Sequence, residues 1–169
     1  ALLPTLKSAG AVAAIVEAGA YTSLPEDLPC IIVPDTRYAL ARLWSNFCGT
    51  PQASLRMIGI TGTNGKTSTA YLLYRIFRSC GRRVALLSTV VAYLDGEVYH
   101  PQRDTGDRMT TMTTPDPDLL YPFLAAAKAR GIDTVIMEVS SHALALQKVV
   151  PIHFEEALFT NLASEHLDY

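Results

Sequence analysis

The sequence lacks the features that would place it in several large classes. No C-x-x-C pair occurs among its three cysteines, Cys30, Cys48 and Cys80. That excludes a zinc ribbon or a disulfide frame and reads as reduced thiols in an intracellular protein. No apolar run reaches the roughly 18 residues that a membrane span needs. The first stretch, ALLPTLKSAGAVAAIVEAGA, has no basic leader and is interrupted by Pro4, Lys7 and Glu17. Neither a signal peptide nor stable membrane insertion is expected. Positive charge is not in excess. The formal net charge is −2, too little basic surface to displace counterions from nucleic acid. Internal repeats and low-complexity tracts are missing too. These absences leave a cytoplasmic protein that does not bind nucleic acid.

What the chain does have is apolar residues in short runs. Of 169 residues, 49% are hydrophobic and 18% charged, enough for a packed core in one or two domains. The chain begins without Met and stops at SEHLDY, so a piece of a longer protein is expected. GAVAAIVEA (10–18) and CIIVP (30–34) read as buried strands. DTRYALARLWSNFCG reads as a helix capped by Asp35, with Ala39, Leu40, Leu43, Trp44 and Phe47 on its buried stripe. TPQAS (50–54) is the linker candidate. After it comes a strand, LRMIGIT, then a glycine loop, then the helix KTSTAYLLYRIFRSCG with Leu72, Leu73, Ile76, Phe77 and Cys80 inside. RRVALLSTVVAY reads as one strand, LDGEVYH as a hairpin turned on Asp-Gly, and PQRDTGDRMTTMTTP as an exposed loop. Asp116 and Pro117 open a helix that runs to Arg130. DTVIMEV and EEALFTNL are two more strands. Strands alternating with helices imply an α/β fold, a parallel sheet flanked by helices.

The glycine loop carries the chemistry. The usual phosphate-loop spelling, G-x-x-x-x-G-K-[ST], would put glycine at position 60, but that residue is Ile60. The order strand, glycine loop, lysine, hydroxyl residue, helix is nevertheless what a phosphate requires. Gly62 and Gly65 permit positive φ, so successive N–H groups can converge. The helix N-terminus adds partial positive charge. Lys66 can reach the outer phosphates and Thr67 can offer its hydroxyl to Mg²⁺. The plain alternative is a glycine turn with a solvated lysine.

Magnesium prefers several oxygen donors, so a carboxylate is expected at the C-terminal end of a neighbouring parallel strand. TVIMEVSSH supplies Glu138 there, with Asp133 at the far end of the same strand. A structural carboxylate is the alternative, though an unpaired one after four apolar residues would be costly. Ser140, Ser141 and His142 follow. Without a G-x-S-x-G elbow they are not a nucleophile and its base; a helix cap is the simplest role. His166, after the last strand, falls at the same edge of the sheet as Glu138.

Four motifs occur in order: GITGTNGKTSTA, TTPDPDLL, VIMEVSSHALAL and LFTNLASEHLDY. They resemble the Mur ligases of bacterial cell-wall synthesis, in particular the branch that adds the third residue of the peptidoglycan stem peptide. VPDTRYALARL extends the resemblance over nearly the whole chain.

The resemblance implies ATP on Thr61, Gly62, Thr63, Asn64, Gly65, Lys66, Thr67 and Ser68, with Lys66 as the catalytic group. It implies Mg²⁺ on Thr67, Glu138 and His166. It implies substrate contacts from Thr113, Thr114, Ser141 and Lys148. Lys148 stands where an Arg is usual, which puts bidentate pairing there in question; Glu165 stands where an Asp is usual. The implied partners are UDP-MurNAc-L-Ala-D-Glu and a free amino acid, meso-diaminopimelate or L-lysine, joined through an acyl phosphate. The implied division is a partial UDP-binding domain (1–50), a linker (51–54) and the first part of the ATP-binding domain (55–169), without the C-terminal domain.

The rival readings are weaker. Folylpolyglutamate synthase shares G-T-N-G-K but departs from the later motifs. A P-loop small-molecule kinase would show an arginine-rich lid and would not need TTPDP or SSHAL. A GTPase-like switch requires N-K-x-D, which Asn46, Asn64 and Asn161 do not supply.

Overall fold

A computed structural model describes residues 3–101 and 112–163. By its internal contacts the chain divides into two compact units, Ala1–Leu40 and Ala41–Tyr169. The first contains α1 (Leu3–Leu6) and two parallel strands, β1 (Ala14–Glu17) and β2 (Cys30–Val33). Leu3, Ala14, Val16 and Leu28 form its small core. β1 alternates buried and exposed residues. Ile31 and Ile32 of β2, expected inside, are 58% and 60% exposed, since a two-stranded sheet cannot cover both of its faces. Helix α2 (Thr36–Phe47) begins as expected: Asp35 Oδ1 accepts from the N–H groups of Arg37 and Tyr38 at 2.8 and 2.9 Å.

The second unit is an α/β layer structure around a six-stranded sheet of order β6-β5-β4-β7-β3-β8. Its parallel centre consists of β3 (Arg56–Thr61), β4 (Val84–Leu87), β7 (Thr134–Glu138) and β8 (Glu156–Phe159). β5 (Ala92–Leu94) and β6 (Glu97–Val98) run antiparallel at one edge. β4 and β7 are buried throughout, which is why they read as continuous apolar runs. Alternation sorts their side chains between two layers. Val84, Leu86, Ile58, Ile60 and Ile136 pack with α3 (Lys66–Ser79). Ala85, Leu87, Met57, Val135 and Met137 pack with α4 (Pro117–Ala129). Glu138, two residues beyond Ile136, therefore belongs to the α3 face.

Four expectations shift. The run RRVALLSTVVAY is two strands, because Ser88 turns the chain: its N–H and hydroxyl both donate to the Val91 carbonyl, at 3.0 and 2.9 Å. The buried face of α3 is Ala70, Leu73, Tyr74 and Phe77, while Leu72 and Ile76 are exposed. Small Ala70 lets the helix approach the sheet, and Tyr74 stacks on Tyr93 with centroids 5.6 Å apart. In α2 the inward residues are Ala41, Trp44 and Ser45, leaving Leu40, Leu43 and Phe47 outside. Pro51–Ser54, expected as an open linker, forms a 3₁₀ turn with Pro51 buried. The hairpin on Asp95 and Gly96 is present, with φ of 52° and 98°. Among the described residues no helix is long and apolar enough to cross a membrane.

Candidate functional site

All four parallel strands deliver polar residues from their carboxyl ends to one edge of the sheet, where such folds keep their ligands. After β3 the chain makes the loop 62–65, with φ of +127° at Gly62 and +82° at Gly65, and enters α3 directly. No side chain caps α3. Among the described residues the N–H groups of Gly65, Lys66, Thr67 and Ser68 have no acceptor; the first helical bond is from Thr69 N–H to Gly65 O, 2.9 Å. Four consecutive free donors at the start of a 14-residue helix make an anion site. Lys66 Nζ lies back over the loop and donates to the carbonyls of Gly62 and Thr63 at 2.7 and 2.9 Å.

The loop is braced from the end of β8. Thr63 N–H donates to Asn161 O at 3.0 Å. Asn161 Oδ1 accepts from Asn64 N–H at 3.0 Å, and Asn161 Nδ2 donates to Asn64 O at 3.0 Å. The Thr160 hydroxyl donates to the same Asn64 carbonyl at 2.7 Å. Gly62 has no room for a side chain: a Cβ there would sit 2.3 Å from Thr160 Oγ1 and 2.9 Å from Asn161 O.

Glu138, at the end of β7, is fully buried. Its two oxygens are held by one residue: Thr89 N–H donates to Oε1 at 3.0 Å and the Thr89 hydroxyl to Oε2 at 3.2 Å. Among the described residues no cation pairs with this carboxylate, and no cluster of three or more His, Cys, Asp and Glu forms a ready-made metal cage. A buried carboxylate without a counter-charge is costly, which fits a place for a cation beside it.

A pocket of about 550 Å³ opens in front of the loop. Thr61, Gly62, Thr63 and Lys66 line it, as do Thr113, Thr114, Ser141 and Lys148. Four of the eight expected nucleotide residues and all four expected substrate residues thus line one cavity. Asn64, Gly65, Thr67 and Ser68 belong to the same loop and first helical turn. His166 lies outside the described residues.

Two of the expected substrate residues are already engaged. Thr114 is buried; its hydroxyl donates to Glu138 O at 3.0 Å and accepts from Ser140 N–H at 3.0 Å. It pins the turn that leads into α5 (Ser141–Ala145), so Thr113 is the freer of the pair. Lys148, only 8% exposed, pairs with Asp116 Oδ1 at 2.8 Å. The hydroxyl of Tyr121 holds the Lys148 carbonyl at 3.1 Å, and burial pushes that phenol well above its usual range, keeping it a neutral donor. Ser140 caps α5 by accepting from Ala143 N–H at 3.2 Å, the simple role expected for this serine pair.

The residues the sequence did not single out are Thr89, Asp116 as an ion-pair partner, Thr160 and Asn161. The polar pair Ser88-Thr89 inside an apolar run was the available signal for the first.

Comparison with known proteins agrees with this geometry. Residues 60–169 match the family model described as the Mur ligase middle domain. UDP-N-acetylmuramoyl-L-alanyl-D-glutamate–2,6-diaminopimelate ligase of Parabacteroides distasonis is 40% identical over 162 residues, 91% of this chain and 32% of that protein. The ligase of the same name from Bacillus licheniformis is 40% identical over 160 residues, 95% of this chain and 30% of that protein. A solved structure of a ligase with that name superposes with a TM-score of 0.72 at 26% identity, covering 98% of this chain and 31% of the other. The chain spans about a third of the length of these relatives. A family match over most of the chain, on a fold whose four parallel strands meet at one phosphate-loop edge, makes this chain a member of the Mur ligase family.

Proposed function

We propose that this chain is the nucleotide-binding part of an ATP-dependent ligase that joins a free amino acid to UDP-MurNAc-L-Ala-D-Glu. Residues 1–50 would belong to the domain that holds the UDP end of the precursor, and 55–169 to the first part of the ATP-binding domain. The observation that carries the reading is a single cavity lined both by Lys66 and its loop and by Thr113, Ser141 and Lys148. The amine is 2,6-diaminopimelate, the amino acid in the names of the relatives; the reading extends it to this chain.

A carboxylate oxygen of the precursor attacks the γ-phosphorus of ATP, and the bond to ADP breaks. The amino acid's amine then attacks the acyl carbon, loses a proton, and inorganic phosphate leaves. Such transfers depend on positioning and charge neutralisation more than on covalent help from the protein. The free N–H groups of Gly65 to Ser68 hold phosphate oxygens. Lys66 releases the two loop carbonyls and turns its ammonium to the outer phosphates. Thr113, Ser141 and Lys148 orient the precursor in the same cavity. Thr67 and Glu138 would hold Mg²⁺ through the oxygen donors it prefers, with His166 adding a ring nitrogen, and the ion would supply charge neutralisation at the phosphates when bound.

The test is an ADP-release assay on the full-length protein with the UDP-linked dipeptide and either diaminopimelate or L-lysine. Release that requires the dipeptide and diaminopimelate together supports the reading. Release with the dipeptide alone, and no amide product, would assign a kinase instead.

A further inference from the structure

We propose that Asn161 is a positioning residue for the nucleotide, acting by clamping the phosphate loop from the end of β8. The inference rests on the loop being the ATP site. Its carboxamide pairs in both directions with one residue of the loop, accepting from Asn64 N–H and donating to Asn64 O, each at 3.0 Å. This is the two-way exchange that a neighbouring strand would make, supplied by a side chain where β3 has left the sheet. The clamp does not stand alone. Thr160 donates to the same carbonyl at 2.7 Å, Asn161 O takes the Thr63 N–H, and Ala163 N–H donates to Thr63 Oγ1 at 3.0 Å.

The consequence lies in which donors remain. With the N–H groups of Thr63 and Asn64 turned to the β8 side, the free donors at the start of α3 are those of Gly65, Lys66, Thr67 and Ser68. They form one unbroken series at the helix start. A loop of this kind has two glycines and would otherwise sample many conformations. Holding one conformation in advance removes an ordering cost from binding. Asn161 does not touch the pocket wall in this arrangement; its effect passes through Asn64.

The experiment compares Asn161→Ala, Thr160→Val and Thr160→Ser in the full-length protein. A fluorescent ATP analogue reports nucleotide affinity, steady-state kinetics report KM for each substrate, and thermal melting is followed without ligand. Asn161→Ala is expected to weaken nucleotide affinity and raise KM for ATP by about tenfold or more, the scale of one or two lost hydrogen bonds. KM for the UDP-linked substrate stays near the parent value. Thr160→Val weakens nucleotide binding in the same direction and Thr160→Ser restores it. Unchanged ATP affinity in Asn161→Ala overturns the proposal. So does an equal loss for both substrates with a lower melting temperature, which is a purely structural effect. Lys66→Ala is measured alongside: if it too binds and turns over normally, the nucleotide assignment itself fails, whereas normal Asn161→Ala beside a crippled Lys66→Ala removes only the clamp.

Discussion

Thr89 grips both oxygens of the buried Glu138 carboxylate, one with its N–H at 3.0 Å and one with its hydroxyl at 3.2 Å. The grip ties the turn after β4 to the end of β7 and fixes the direction of the acid. Thr89→Val keeps the N–H bond and deletes the other. Because the carboxylate is buried, the loss is about 1–3 kcal/mol of stability in the absence of metal. Urea unfolding checks this, and Thr89→Ser should recover most of it. A Thr89→Val protein as stable as the parent would mean that the hydroxyl does not support the acid.

Glu138→Gln removes the charge and keeps the shape. If the carboxylate is a Mg²⁺ ligand, the Mg²⁺ dependence of turnover shifts to higher concentration. An unchanged titration curve would take Glu138 out of the metal site.

The two loop glycines should respond unequally to alanine. Gly65 has positive φ but open space, so Gly65→Ala costs only backbone strain, about 1–2 kcal/mol. Gly62→Ala adds a collision with Thr160 Oγ1 and the Asn161 main chain and must displace the clamp. The expected order of nucleotide affinity is parent, Gly65→Ala, then Gly62→Ala, measured by analogue titration.

These predictions rest partly on what could be read from the sequence and partly on what could not. The loop, the parallel α/β layers, Asp35 as a cap and the Asp95-Gly96 hairpin follow from local rules, and local rules survive folding. The faces of α2 and α3 followed only in part. Trp44, Leu73 and Phe77 turn inward as expected, but Leu43, Phe47, Leu72 and Ile76 stay outside, because the sheet accepted the side carrying Ala41 and Ala70. Close approach of a helix to a sheet selects small residues, which a hydrophobicity pattern underweights. Thr89 and Asn161 were hidden for a different reason. Each acts on a residue far away in sequence, Glu138 or Asn64, and no spacing rule connects them.

The Arg56–Glu156 pair gives a pH prediction. Arg56 Nε donates to Glu156 Oε2 at 3.3 Å, joining β3 to β8 near the strand that carries the clamp. The hydrogen bond and charge of Arg56 hold the Glu156 carboxyl below the usual carboxylate range. A lowered folded-state pKa contributes stability above the unfolded-state value and loses it as pH falls through the folded one. Glu156→Gln should therefore flatten the stability profile on the acid side of the ordinary glutamate range and leave its shape at neutral pH unchanged. Denaturation midpoints across that range check it; an identical acid limb in both proteins would contradict it.

Lys66 and its loop are proposed to handle the phosphates of ATP while a precursor carboxylate is activated at the same cavity. Turnover of Lys66→Ala in the full-length protein, with the UDP-linked dipeptide, diaminopimelate and ATP all present, tests it most directly. The expected result is a fall of at least about 10³-fold, the upper end of what one preorganised donor contributes at a transition state, with the melting temperature unchanged. Turnover within a few-fold of the parent would contradict it.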